Sequence, residues 1–150
     1  MKITDILPAP QIKIGLRSRN KQDLFEEMVQ LLVDARVLRD REAALRALFE
    51  REARMTTGVA KWLGLPHGKL DEARGLLVAL GTSAQGIDYD SMDGEPVYVV
   101  VLVLAEAGNP GPHIDALAEI SRLFSVPGFT SKIMAAKTPA EVVELIRREE

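Results

Sequence analysis

PVYVVVLVLA, residues Pro96 to Ala105, is the stretch on which the fold class turns. Its apolar run, Val97 to Ala105, is too short for a globular helix of normal length and is rich in β-branched side chains, which favour strands. It reads as a buried central strand, and RGLLVALG, Arg74 to Gly81, reads as a second. Between them, GIDYDSMDGEP forms a polar turn region in which Asp93-Gly94 is a strong turn dipeptide. GTSAQG, Gly81 to Gly86, also resembles a turn.

Working outward, QIKIGL, Gln11 to Leu16, alternates polar and apolar residues as a half-buried strand does. The period then changes. Asn20 caps a helix whose Leu24, Met28, Leu31, Leu32 and Ala35 line one face, and Asp23 sits in its first turn. Asp40 caps a second helix, with Ala44, Leu45, Leu48 and Phe49 as the buried stripe and Arg41, Arg46 and Glu50 in water, ending near Ala53. Thr56 to Lys69 is punctuated by Gly58, Gly64 and Gly68. After AGNPGP a third helix is expected, with Ile114, Leu117, Ile120, Leu123 and Phe124 sharing a face. Phe129, Ile133 and Ala136 suggest a short helix, and TPAE opens a last one, capped by Thr138 with Pro139 at its first position. The order predicts an α/β fold with helices covering a mixed sheet, in one domain over residues 1–150.

Composition narrows the function. Apolar residues are 47% and charged ones 27%, an ordinary globular balance, and a net charge of −3 provides no basic footprint for nucleic acid. The chain has no cysteine, which removes disulfides, thiolate metal sites and thiol catalysis, and fits the cytoplasm. No run approaches the roughly 20 apolar residues needed to span a bilayer, and the N-terminus has no signal pattern, so membrane insertion and export are not expected.

There are two histidines, His67 and His113, and both follow a proline at the end of a loop or strand. They are presented rather than packed into a periodic stripe, and they stand either as ordinary loop residues or as functional ones. Two histidines without cysteine or a dense carboxylate cluster make a poor zinc site. Ser83, Ser91 and Ser121 lie in no nucleophile elbow, and no glycine-lysine-serine or glycine-lysine-threonine run cradles a nucleotide. Neither metal nor cofactor is implied. Phosphoryl transfer to histidine needs only a neutral imidazole and positioned donors for the three equatorial oxygens. Arg51 and His113 are the candidates for those donors.

The segment FEREARMTTGVAKWLGLPHG, Phe49 to Gly68, resembles the active-site signature of the enzyme IIA domains of the fructose and mannitol branch of the bacterial phosphotransferase system, nitrogen-regulatory relatives included. Arg51-Glu52, Thr56-Thr57-Gly58 and Leu65-Pro66-His67 carry the resemblance, and the segment from Gly86 through the helix-opening His113 extends it over essentially the whole chain. It implies a three-layer α/β/α sandwich with a mixed central sheet. It further implies that His67 is the phosphorylated residue, that His113 and Arg51 contact its phosphoryl group, and that the donor is a small histidine phosphocarrier (HPr-like). The acceptor is a IIB-domain cysteine in transport members or a regulated protein in nitrogen-regulatory ones.

Thr56 and Thr57 have two readings: contacts to the phosphoryl group, or support of the turn. Lys69 reads as a solvated loop lysine, and Glu52 as an exposed helix-end glutamate rather than a group orienting Arg51 or His113. Two residues depart from the family pattern, which usually has a small residue, often glycine, in place of Trp62 and more often alanine in place of Gly64. Trp62 is either a core anchor or part of a changed docking face. The chain ends at Glu150 without a linker, IIB domain or membrane segment after the last helix, which favours the regulatory type over a sugar importer. A degenerate binding module is the remaining alternative.

Overall fold

In a computed structural model that describes residues 1–150, Val97–Ala105 forms a strand, β5, with every residue buried except Tyr98. Successive side chains point to opposite faces. Val100, Leu102 and Leu104 enter one hydrophobic core, and Val99, Val101 and Val103 enter another. The first core lies under helices α1 (Lys21–Asp34) and α2 (Arg41–Glu52); the second lies under α3 (Pro110–Phe124), α4 (Phe129–Ala135) and α5 (Pro139–Glu149). A strand covered on both sides has no wet face, which is why its sequence is continuously apolar.

Strand β4 (Leu76–Ile87) runs antiparallel to β5, and β1 (Ile12–Ile14) runs parallel to β4 on the far side. On the other flank β2 (Leu63–Gly64) and β3 (His67–Lys69) both pair with β5 in parallel. The result is a five-stranded mixed sheet between two helical layers. The helix starts follow their caps: the side chains of Asn20, Asp40 and Thr138 accept from the amides of Asp23 at 2.8 Å, Ala43 at 3.0 Å and Glu141 at 3.1 Å. Phe49 is only partly buried, and its ring sits 4.9 Å from that of Phe25.

Three local expectations change. Gly81 to Gly86 is not a turn, because β4 continues through it to Ile87 with Thr82 and Ser83 buried. Its small residues serve packing and bending: a Cβ on Gly81 would lie 2.7 Å from a Leu16 methyl, and the register with β5 shifts between Thr82 and Ile87, where Gly86 has φ +89°. Gln11 is buried rather than on a wet face, its Nε2 donating to the Val78 carbonyl at 2.8 Å. Ile114 is 64% exposed, because the buried stripe of α3 begins only at Ala116 and the first turn projects beyond the core. No helix is long and apolar enough to cross a membrane.

Candidate active site

The β2 and β3 residues keep one pairing offset with β5: Leu63 faces Val99, Gly64 faces Val100 and His67 faces Val103. They are two pieces of a single edge strand interrupted at Leu65-Pro66, within the segment that the glycines had marked as irregular. Pro66 has no N–H to contribute, but its carbonyl accepts from Val103 at 3.0 Å. The Leu65 amide turns away to donate to the Thr57 carbonyl at 3.2 Å, and the Leu65 carbonyl lies 2.8 Å from His67 Nδ1. A carbonyl only accepts, so Nδ1 carries the proton and Nε2 keeps its lone pair.

Helix α2 is laid directly on β3. A Cβ on Gly68 would meet the Ala47 carbonyl carbon and oxygen at 3.0 Å, so only glycine admits this approach without displacement. Arg51, one turn beyond Ala47, is thereby brought to the edge strand, and its Nη1 donates to the Met55 carbonyl at 3.0 Å. His113, in the first turn of α3, faces His67 with ring centroids 5.5 Å apart and planes 72° apart. Its Nε2 is buried without a hydrogen-bond partner. A cleft of 380 Å³ contains both histidines together with Arg51, Arg54, Lys69 and a single carboxylate, Glu50.

Both imidazoles are held below the usual histidine range. For His67 burial is the main cause and the Arg51 charge adds to it, while the bond to Leu65 and the Glu52 charge act in the opposite sense. For His113 burial comes first, followed by the charges of His67 and Lys69. At neutral pH both rings are therefore neutral. An uncharged nitrogen with a free lone pair, next to three permanent cations, is arranged to take up an anionic electrophile.

The structure thus brings together Arg51, His67 and His113, but not the threonines. Thr56 Oγ1 accepts from the Gly58 amide at 3.2 Å, a local turn contact. Thr57 is 3% exposed, and its hydroxyl lies 2.6 Å from both Glu52 Oε1 and the Tyr89 hydroxyl. Glu52 is buried, at 8% exposure, contrary to its reading as a wet helix end; the Thr57 amide, the Thr57 hydroxyl and Lys21 Nζ compensate its charge. Lys69 is exposed yet lines the cleft, since residues two apart on a strand share a side. Arg54 went unnoticed in the sequence, although its three-residue spacing from Arg51 near a helix end was the available signal. Tyr89, masked by a turn-rich context, was also missed.

Trp62 lies outside the cleft, before the far end of the edge strand. It has φ +66°, a conformation that favours glycine. Its half-buried ring meets Tyr98 edge-on at 6.3 Å and carries Lys61 Nζ 4.6 Å above it. Its ring therefore both packs and remains reachable.

The model of one family, described as "Phosphoenolpyruvate-dependent sugar phosphotransferase system, EIIA 2", matches residues 5–149, and the chain belongs to that family. It is 34% identical over 149 residues to the fructose-specific EIIA component of Haloferax volcanii, covering 97% of each chain. It is 31% identical to the fructose-specific EIIABC component of Bacillus subtilis, where 99% of this chain spans 23% of that longer protein. Among solved structures, the nitrogen regulatory protein IIA-Ntr from Neisseria meningitidis superposes with a TM-score of 0.88 at 25% identity, covering 96% of this chain and 98% of that one. Proteins of this family are phosphotransferase components of a phosphorelay.

Proposed function

We propose that this chain is a cytoplasmic phosphocarrier that accepts a phosphoryl group on Nε2 of His67 from a phosphorylated histidine carrier protein. The observation that carries the reading is the 2.8 Å bond between His67 Nδ1 and the Leu65 carbonyl, which leaves Nε2 as the nucleophilic nitrogen beside a cationic cleft. The Nε2 lone pair forms the new N–P bond as the donor's N–P bond breaks, and that electron pair returns to the donor imidazole. No proton needs to leave His67. The ring gains positive charge, which the Leu65 carbonyl and the Glu52 charge favour. Arg51 and His113 meet the charge on the equatorial oxygens.

The phosphoryl group then either passes on or acts as a signal. The likeness to IIA-Ntr supports a regulatory-type IIA protein, in which the phosphorylation state is read by another protein. The identity to a fructose-specific EIIA component supports the second reading, a soluble IIA subunit that passes phosphate to a IIB cysteine. Keeping Arg51, His67 and His113 in one cleft weighs against a degenerate module without transfer.

Incubation with the phosphorylated carrier should add one phosphate by intact mass. The label should be acid-labile and alkali-stable, and His67→Ala should abolish it while leaving the fold intact. A label that survives in that variant assigns the chemistry elsewhere. Deletion of the gene separates the roles: loss of uptake of a single sugar, with other responses unchanged, identifies the importer.

A further inference from the structure

We propose that Glu52 is a positioning residue for His67, acting through Thr57 and the Leu65 peptide; the proposal rests on the reading of Nε2 as the phosphoryl acceptor. Glu52 is the last residue of α2 and makes no bond to Arg51 or His113. Both of its carboxylate oxygens are instead given to one residue. Oε2 accepts from the Thr57 amide at 2.8 Å and Oε1 from the Thr57 hydroxyl at 2.6 Å, while Lys21 Nζ pairs with Oε2 at 3.0 Å.

The proton order follows. An ionised carboxylate only accepts, so the single Thr57 hydroxyl proton goes to Glu52, and the Tyr89 hydroxyl, 2.6 Å away, must donate to Thr57 Oγ1. Thr57 is thus held at its amide and its hydroxyl. Its carbonyl accepts from the Leu65 amide at 3.2 Å, and the carbonyl of Leu65 accepts from His67 Nδ1 at 2.8 Å. An unbroken series of hydrogen bonds runs from the half-buried Lys21–Glu52 ion pair to the imidazole.

Position matters because a neutral imidazole has two tautomers. If the Leu65 carbonyl swings away, Nδ1 loses its acceptor, the ring populates the form protonated at Nε2, and the atom facing the cleft has no lone pair. The segment that carries Leu65 contains Pro66 and only short pieces of strand, so sheet pairing alone holds it weakly. Tyr89 adds a steric hold: a Cβ on Gly64 would lie 3.1 Å from its ring and one on Gly58 2.9 Å, so the ring fills the space between loop and edge strand. The Glu52 charge also reaches His67 and opposes that of Arg51.

The test reads the tautomer directly, by two-bond proton–nitrogen NMR of ¹⁵N-labelled histidine in the full chain at mildly alkaline pH. Wild type should show His67 protonated at Nδ1 alone. In Glu52→Gln and in Thr57→Val the Nε2-protonated form should appear, and single-turnover phosphoryl uptake at saturating donor should slow about 10-fold to 100-fold, with half-saturation unchanged. Thr57→Ser, which keeps the hydroxyl, should behave as wild type. Folded Glu52→Gln and Thr57→Val proteins with the wild-type tautomer and rate overturn the proposal. If Glu52→Gln does not fold, Thr57→Val decides by the same readouts, with Thr57→Ser as its control. The tautomer is measured without phosphate, so failure of wild type to accept phosphate would refute the phosphocarrier reading while the NMR still decides the positioning role.

Discussion

His67 is kept neutral by burial and by a neighbouring guanidinium, and this fixes the sign of its pH dependence. A protonated ring has no lone pair to offer. Phosphoryl uptake should therefore rise with pH through a midpoint below the ordinary histidine value and stay level above it, as a rate profile of single-turnover uptake will show. Stability follows the same direction: between the folded value and 6.5 the unfolded chain binds more protons, so stability contributed by the two histidines is complete above about 6.5 and is lost as pH falls through the folded values. Under the proposed function Arg51 and His113 meet the transferring charge, and Arg51 also helps to keep His67 neutral. Arg51→Ala and His113→Ala should each slow transfer on the order of 100-fold to 1,000-fold in stopped-flow or quench measurements; rates within about a factor of two of wild type would place neither side chain on the phosphoryl group. Both residues could be picked out in the sequence, because a histidine after a proline and an arginine at a helix end are local signals. Glu52 could not be read in this way. Its burial depends on Lys21, Thr57 and Tyr89 meeting it from three separate segments, and no local pattern records such a meeting.

At the scale of elements, the contact of α2 with β3 depends on the missing side chain at Gly68. A methyl there meets the Ala47 backbone, which cannot give as a flexible side-chain tip can. Gly68→Ala should cost about 1–3 kcal/mol in chemical denaturation and also reduce phosphoryl uptake, because the helix it pushes away carries Arg51. The connection from β1 into α1 has its own clasp. Burial would raise the Glu27 carboxyl, yet Lys13, the Ser18 hydroxyl and the amides of Arg17 and Ser18 together lower it to about 2. Its contribution is present above the ordinary carboxylate value of 4.5 and is lost as pH falls toward about 2, so Glu27→Gln should flatten the acid limb of the stability curve. Helices were legible because their caps and 3.6-residue period are local. Strand β4 was half legible: its apolar portion reads plainly, but Gly81 to Gly86 carries turn residues for reasons that lie in Leu16, Met28 and a bulge, all distant in sequence.

For the molecule as a whole, a net charge of −3 coexists with a cleft where Arg51, Arg54 and Lys69 outnumber Glu50. Such local concentration attracts anionic groups toward the histidines against the average field, as the proposed uptake from a phosphorylated carrier requires. Arg54→Ala and Lys69→Ala should lower the second-order rate of phosphoryl uptake several-fold at low salt, and the difference should vanish as ionic strength approaches about 1 M. The layer order was legible from the sequence, since the continuously apolar β5 demands cover on both faces. The mixed direction of the strands was expected, but the division of the outermost one at Leu65-Pro66 was not. That division has a consequence for how the molecule meets others. An outermost strand normally offers a row of free amides and carbonyls, an invitation for a foreign strand to zip on and stay. Here the outward row is already taken at Leu65, whose amide donates to the Thr57 carbonyl and whose carbonyl is occupied by His67. A visitor to this rim finds side chains and an imidazole instead of a template for pairing, which suits the brief encounters that the proposed relay requires.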